Sequence, residues 1–418
     1  MNALKPNNYF FELALTAVLM VGALKYAMTS FSISSFVDLT IVAAVIFGFS
    51  LIRIGHWDLR LSDGHKWYGM LVLFFLWATL SLAWSTSSVY AQIKLLGLVL
   101  VGIVALTGIS NGRFDVDRLF RYILYVSFGG SIVYLFETAI YDSVPNYFAI
   151  KDSYLFLGKF LGFATLTIAF RGKDYWGWSG RQVEYAVFAM VLIILALGAR
   201  GALFFTCLIL FVHWIIEIKR GRVTITIRWA RSIINKILLT GFVLYLLFML
   251  SARVGIQPIQ TIFVRAMDRF HLLYDYVVIN GMENPGSSIG LRYKYWEFVV
   301  LHQVSDLKSF FIGSGIGSFA TVYSGLDVER YPHNIFLEIW FELGLVGLMI
   351  FGLVFWNAAK QIRTKSHNTI LGFLVFYEML HLMKSHSLSD LRLLALLLSL
   401  CFANHLFNAP EVSRIEGK

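Results

Sequence analysis

Apolar runs of about 20 residues, the length of a helix that crosses a bilayer, recur from one end of the chain to the other with short polar stretches between them. Twelve can be placed, centred near Thr16, Ala43, Phe74, Val99, Ser127, Gly162, Val191, Leu208, Val243, Val346, Phe376 and Leu397. The sixth contains Lys159, and the last two are short enough to read either as two crossings or as a re-entrant pair. Residues 253–332 break the rhythm. Within them, residues 291–302 have the spacing of an amphipathic helix, and FIGSGIGSF at 311–319 reads as a tight turn, since glycine supplies backbone conformations that other residues avoid. The predicted architecture is an all-α polytopic membrane protein of about twelve transmembrane helices. Nine lie in residues 1–252, a large loop or lid with short helices fills 253–332, and three more helices and a tail occupy 333–418.

The polar stretches set an orientation. Arg53, Arg60 and Lys66 follow the second run, Arg113 and Arg118 the fourth, Arg171, Lys173 and Arg181 the sixth. Lys219, Arg220, Arg222, Arg228, Arg231 and Lys236 follow the eighth, and Lys360, Arg363 and Lys365 the tenth. The alternate loops hold little: Lys25, Lys94 at the start of the fourth run, Lys151, Arg200, Lys384 and Arg392. Short basic loops stay cytoplasmic, so both termini are expected inside, with Arg200, the 253–332 loop and His333 on the opposite face.

Composition agrees: 58% of the 418 residues are hydrophobic and 14% charged, whereas soluble domains carry roughly a quarter charged residues. The net charge of +10 is spread through the loops and so predicts orientation rather than a nucleic-acid partner. Cys207 and Cys401 both lie in apolar runs and form neither a disulfide framework nor a metal site. The first run lacks a small-residue cleavage site and reads as a span.

The candidate chemistry gathers at the outer ends of the runs. YPHNIFLEIWFELGLVGLMIF, residues 331–351, opens with His333 beside a proline and carries Glu338 and Glu342 into an apolar span. Ionisable groups at that depth are costly and pair with something. Neutral imidazole is suited to accept a proton, although lone histidines are commonly structural. Asn334 suits the N-cap of the helix behind it. Glu338 and Glu342, four residues apart, share a helix face; they can orient His333, pair with an arginine, or bond between helices. Arg200, in LALGARGALFF, sits at a near-loopless turn between two spans, where it can bind an anion or snorkel to lipid phosphate. Arg292, in GLRYKYWEF, stands early in the amphipathic helix and reads as either an anion ligand or a surface residue. FDVD at 114–117 has too few acids for a metal cage, GSGIGSF lacks the Lys-Ser/Thr of a phosphate-binding loop, and no nucleotide motif is present.

Taken in order, HNIFLEIWFELGLVGLMIF, ALGARGAL, GLRYKYWEF, FIGSGIGSF and the early LWATLSLAWS resemble the motifs of the bacterial O-antigen ligase and polymerase family. The resemblance implies a GT-C-like membrane glycosyltransferase of the bacterial inner membrane with a periplasmic site. Its donor would be a glycan on undecaprenyl diphosphate, and its acceptor a lipid-linked repeat unit or lipid A core. It implies an inverting transfer without metal, ATP or other cofactor. By the same resemblance His333 is the base, Arg200 and Arg292 bind the diphosphate, and Asn334, Glu338 and Glu342 support them. Polymerase is the favoured activity over ligase. Ala199 departs from the family's Ser or Thr, removing one hydroxyl from the anion site. A lipid-glycan transporter, using Lys159, Glu338 and Glu342 along a path, is the competing class.

Overall fold

The computed structural model describes residues 9–22, 39–54, 64–109, 115–140, 153–221, 288–364 and 369–402, with four isolated helical positions between 222 and 287. Among these residues the fold is all helical. In chain order the helices are α1 (Tyr9–Leu19), α2 (Leu39–Ile54), α3 (Gly64–Leu80), α4 (Val89–Ile109), α5 (Val116–Ile140), α6 (Ser153–Trp176), α7 (Gly180–Ala196) and α8 (Arg200–Lys219). Then come α9 (Ser288–Ser305), α10 (Leu307–Ile312), α11 (Phe319–Ser324), α12 (Ile335–Thr364), α13 (Thr369–Ser385) and α14 (Arg392–Leu400). Among the described residues six segments are long and apolar enough to cross a membrane: Lys66–Trp84, Val89–Ile109, Val116–Phe136, Tyr154–Lys173, Arg200–Lys219 and Ile335–Thr364.

Eleven of the expected centres fall inside these helices, and the remaining one, at Val243, lies outside the described residues. The expectation of about twelve full crossings is met only in part. The helices at Thr16, Ala43, Val191, Phe376 and Leu397 are 11, 16, 17, 17 and 9 residues long. At about 1.5 Å per residue, α14 reaches less than half the thickness of a hydrocarbon core. The amphipathic segment expected at 291–302 lies within α9.

The chain divides into two compact units. The first comprises residues 1–15, 44–116 and 282–418; the second, residues 16–43 and 117–281. In the first unit α3 packs against α12 with Phe74 on Phe351, ring centroids 5.6 Å apart, and Trp67 donates to the Val354 carbonyl at 3.1 Å. Helices α4 and α14 approach so closely that a Cβ at Gly108 would lie 1.8 Å from the Ser399 hydroxyl. Small residues permit such contact where lipid gives no hydrophobic drive to association. In the second unit α6 is enclosed by α7 and α8, and a Cβ at Gly158 would meet that of Ala199 at 2.3 Å. Ser179 starts α7 with a reciprocal capping box to Gln182. Hydroxyls within the spans return to their own helix: Ser131, Thr165 and Thr167 each donate to the carbonyl four residues back, which satisfies them without water.

Candidate functional site

The site begins with a break in α12. Gly344 has φ 67° and ψ −170°, which no helix contains, so the helix stops at Leu343 and restarts beyond it. A helix end leaves four carbonyls without intrahelical partners, and here the four before the break are all met. Gln303 donates its side-chain amide to the Trp340 carbonyl. The main-chain N–H of Ser314 reaches Phe341 at 2.8 Å and that of Gly315 reaches Glu342 at 2.9 Å. Trp77 donates to Leu343 at 2.9 Å. The GSGIGSF turn therefore completes the hydrogen bonding of a helix some 30 residues ahead of it. Its glycines are required by space as well as by their positive φ: a Cβ on Gly313 would lie 2.4 Å from the Glu342 carbonyl, and one on Gly315 2.4 Å from the Ser85 Cα.

The same turn is held from its other side by the LSLAWS stretch at the end of α3. Ser81 accepts from the Ile316 N–H at 3.0 Å, Ser85 donates to the Ile316 carbonyl at 2.7 Å, and Trp84 donates to the Gly313 carbonyl at 3.1 Å. Four polar residues of one early span thus all serve the turn or the break.

His333 stands on the extracted end of this platform. It is the one non-glycine residue with positive φ, 58°, among the described residues. A β-carbon is disfavoured there, and such strain is retained where the surroundings over-determine it. The surroundings are two tyrosines: Tyr331, with ring centroid 4.5 Å away, and Tyr295 of α9, stacked at 6.2 Å and 13°. Asn334 next to it is the expected cap, accepting from the N–H groups of Phe336 at 3.0 Å and Leu337 at 3.3 Å.

Helix α9 is clamped onto this segment. Trp296 donates to the Pro332 carbonyl at 2.9 Å. Tyr295, Val299, Phe319 and Phe341 form a buried aromatic core beneath it, flanked by Phe298 and Tyr323. Edge-to-face pairs of this kind add about 0.5–1.5 kcal/mol each beyond their buried area. Arg292 lies one turn before Trp296 on the same face, so pinning the tryptophan brings the guanidinium's charge to bear on His333. Burial first, and then that charge, hold the imidazole down to about 4, opposed by the Ser385 main-chain carbonyl. At neutral pH His333 is uncharged, and its Nδ1 is buried with no hydrogen-bond partner among the described residues.

Glu338 and Glu342 share a face as expected, and their partner is Lys94. Its Nζ lies 2.5 Å from Glu338 Oε1 and 2.6 Å from Glu342 Oε1, with all three side chains fully buried. The sequence pattern places Lys94 at the boundary of a span; in the structure it lies in the second turn of α4, inside the protein. Glu338 also accepts from the Ser387 hydroxyl at 2.7 Å and the Leu388 N–H at 3.1 Å. The apolar run itself held the signal, since a lone lysine within it needs an anion as much as the two acids need a cation.

Asp327 provides a second tie. It accepts from the Ser87 hydroxyl at 2.6 Å and from the N–H groups of Ser88 at 2.9 Å and Val89 at 2.8 Å, so a residue from the 253–332 loop caps α4. These bonds, the Ser87 hydroxyl foremost, lower its carboxyl to about 2. Replacing Asp327 by alanine should cost about 1 kcal/mol, as lost helix caps do. A group with a depressed folded pKa stabilises above its unfolded value, about 3.9, and loses that contribution as pH falls through the folded one. The difference in thermal midpoint between wild type and Asp327→Ala in detergent should hold from pH 7 to about 4 and close toward pH 2.

Arg200 belongs to the second unit. The α7–α8 turn is made by Gly198 at φ 67°, Arg200 N–H bonds back to the Gly198 carbonyl at 3.0 Å, and Arg200 is the first residue of α8. Ala199, buried at 1% exposure, caps nothing with its side chain and is packed against Gly158. The Arg200 side chain itself is half-buried.

Residues 185–352 match the family model described as O-antigen ligase. That interval contains Arg200, Arg292, His333, Glu338 and Glu342. A comparison with curated proteins finds no match.

Proposed function

From the premise that this membrane protein carries an O-antigen ligase family domain, which supports ligase- or polymerase-type glycan transfer, we propose that it is a surface-polysaccharide polymerase acting on the periplasmic face of the inner membrane. The donor is a glycan on undecaprenyl diphosphate, and the acceptor is a sugar hydroxyl on a second lipid-linked repeat unit. His333 takes the acceptor proton as its oxygen attacks the anomeric carbon. The bond from that carbon to the diphosphate oxygen breaks, undecaprenyl diphosphate leaves, and attack from the opposite face inverts the centre. The observation that carries this reading is a neutral, half-buried imidazole held in a strained conformation with the Arg292 charge beside it. A proton acceptor and a cation for the leaving group are the two requirements of transfer from a diphosphate.

Arg200 and Arg292 are the diphosphate ligands. Guanidinium engages phosphate through two parallel hydrogen bonds, and a lysine supplies the charge without that fork. Arg292→Lys should lower kcat by about 100-fold, the loss typical of one missing donor to a developing charge. Steady-state transfer by the purified variant checks this; wild-type kcat would remove Arg292 from the leaving-group site.

Ligase activity, with lipid A core as acceptor, is the second reading, and the match to an O-antigen ligase family favours it. The two are separated by one experiment: purified protein with a defined undecaprenyl-diphosphate donor, offered lipid-linked repeat and lipid A core side by side. Extension of the repeat supports polymerase, modification of the core supports ligase, and transfer to neither sinks both. Against the transporter reading, two of its three residues, Glu338 and Glu342, are engaged by Lys94 in a fully buried cluster.

A further inference from the structure

The ion cluster lies where three segments meet: the start of α4, the first turns of α12, and the loop after α13. Lys94 binds both carboxylates, Glu338 carries the bonds onward to Ser387 and Leu388, and Ser385, just before them, accepts from the Tyr331 hydroxyl at 3.2 Å with its carbonyl facing His333. Glu338 N–H also bonds the Asn334 carbonyl at 2.9 Å, within the turn that follows His333. His333 is thus reached from the ammonium by two routes, along α12 and through the 385–388 loop. Its left-handed backbone has no local preference to sustain it, so the framework around it must do so. Burying three charged groups is expensive and adds little net stability against a well-packed apolar replacement, although removing one partner is strongly destabilising. Stability alone is therefore a poor reason for the cluster to exist.

We propose that Lys94 is a positioning residue of the transfer site: by closing the buried cluster with Glu338 and Glu342 it fixes where His333 stands. The proposal rests on the transferase reading for its consequence in rate, and the conformational part stands apart from it. Lys94 touches no reacting atom. It acts through Glu338, which joins the His333 helix to the loop that faces the imidazole.

Three variants of the full chain in detergent test this: Lys94→Arg, Lys94→Met, and Lys94→Met combined with Glu338→Gln and Glu342→Gln. The triple variant leaves no carboxylate uncompensated and serves where Lys94→Met alone does not fold. In transfer assays Lys94→Met and the triple variant should lose about 100-fold in kcat with KM little changed, the cost of a small misplacement of a catalytic group, and Lys94→Arg should restore most of it. The second readout needs no transfer. With Cys207, the exposed cysteine, replaced by alanine, a His333→Cys probe is alkylated by a water-soluble maleimide. Adding Lys94→Met or the triple change should shift that rate about tenfold, since thiol reactivity follows its microenvironment, and Lys94→Arg should leave it near the starting value. Unchanged alkylation and unchanged kcat in the triple variant overturn the proposal, as does an Arg variant that behaves like Met in both assays. If the wild type transfers nothing while alkylation still shifts, the transferase reading fails and the positioning of residue 333 by Lys94 stands.

Discussion

Replacing His333 by alanine should abolish glycan transfer while the protein still inserts and folds. General bases contribute about 100- to 10,000-fold, enough to take a slow membrane enzyme below detection. Alanine inherits the same backbone strain as histidine at φ 58°, so the substitution removes the imidazole without adding a conformational cost. Purified variant and wild type compared for transfer, with size-exclusion profiles matched, check the result; full activity in the variant ends the base assignment. The pH profile gives a finer check. With the imidazole lowered to about 4, kcat/KM should be flat near neutrality and fall as pH drops through about 4, where the base becomes protonated. Burial is the main cause of that depression, and the Arg292 charge is the next. A bound diphosphate offsets the arginine's field, so the acid limb of kcat, which reports the donor complex, should lie at higher pH than that of kcat/KM. A weak base in the empty site thereby becomes a stronger one once the donor is present.

Gly344→Ala should disrupt the first unit outright. The residue has φ 67° and ψ −170°, a region essentially confined to glycine and costing another residue roughly 1–3 kcal/mol. A Cβ there would stand 2.3 Å from the Phe311 carbonyl oxygen and 2.5 Å from the Ile312 nitrogen. Both are main chain and cannot swing aside, so the glycine turn must retreat, and with it the bonds to Phe341 and Glu342. A fall in thermal midpoint, or loss of monodisperse protein on solubilisation, is the expected measurement. A well-folded Gly344→Ala protein with unchanged midpoint would show that the turn and the helix break are not mutually dependent. Gly352, in the same helix but with open space around its Cα, is the matched control, and Gly352→Ala should be tolerated.

These two sites differ in how plainly the sequence declared them. His333 and Asn334 were legible because their signals are local: a histidine after proline at the mouth of a span, and an asparagine placed to cap it. The acids Glu338 and Glu342 announced a need without naming its answer, for Lys94 lies 248 residues from Glu342 in sequence. Periodicity identifies a lysine near a run's end as a boundary, and only tertiary packing turns it inward. The turn at 313–317 was readable as a turn, yet nothing local says that its N–H groups finish another helix. Trp77, Ser81, Trp84 and Ser85 carry only a family likeness in the sequence, and their reason lies in their hydrogen bonds to the turn and the break. Span counting suffered from the opposite limit. Hydropathy places the centres of helices well, but α14 is apolar because it is enclosed by protein, with most of its residues almost fully buried, and enclosure and lipid favour the same residues.

The interruption at Gly344 also has a mechanical meaning. A continuous 30-residue rod from Ile335 to Thr364 would carry any tilt of its far half straight to the His333 end. The break turns that rod into two levers joined at a pivot, and the upper lever is bolted to the glycine turn, Trp77 and Gln303. The lower part is packed along α3 through Phe351 and Val354, and the upper part takes its bearing from the turn and not from the lower part. Transfer should accordingly vary little between vesicles of short- and long-chain lipid, and the chemistry is insulated from the membrane that houses it.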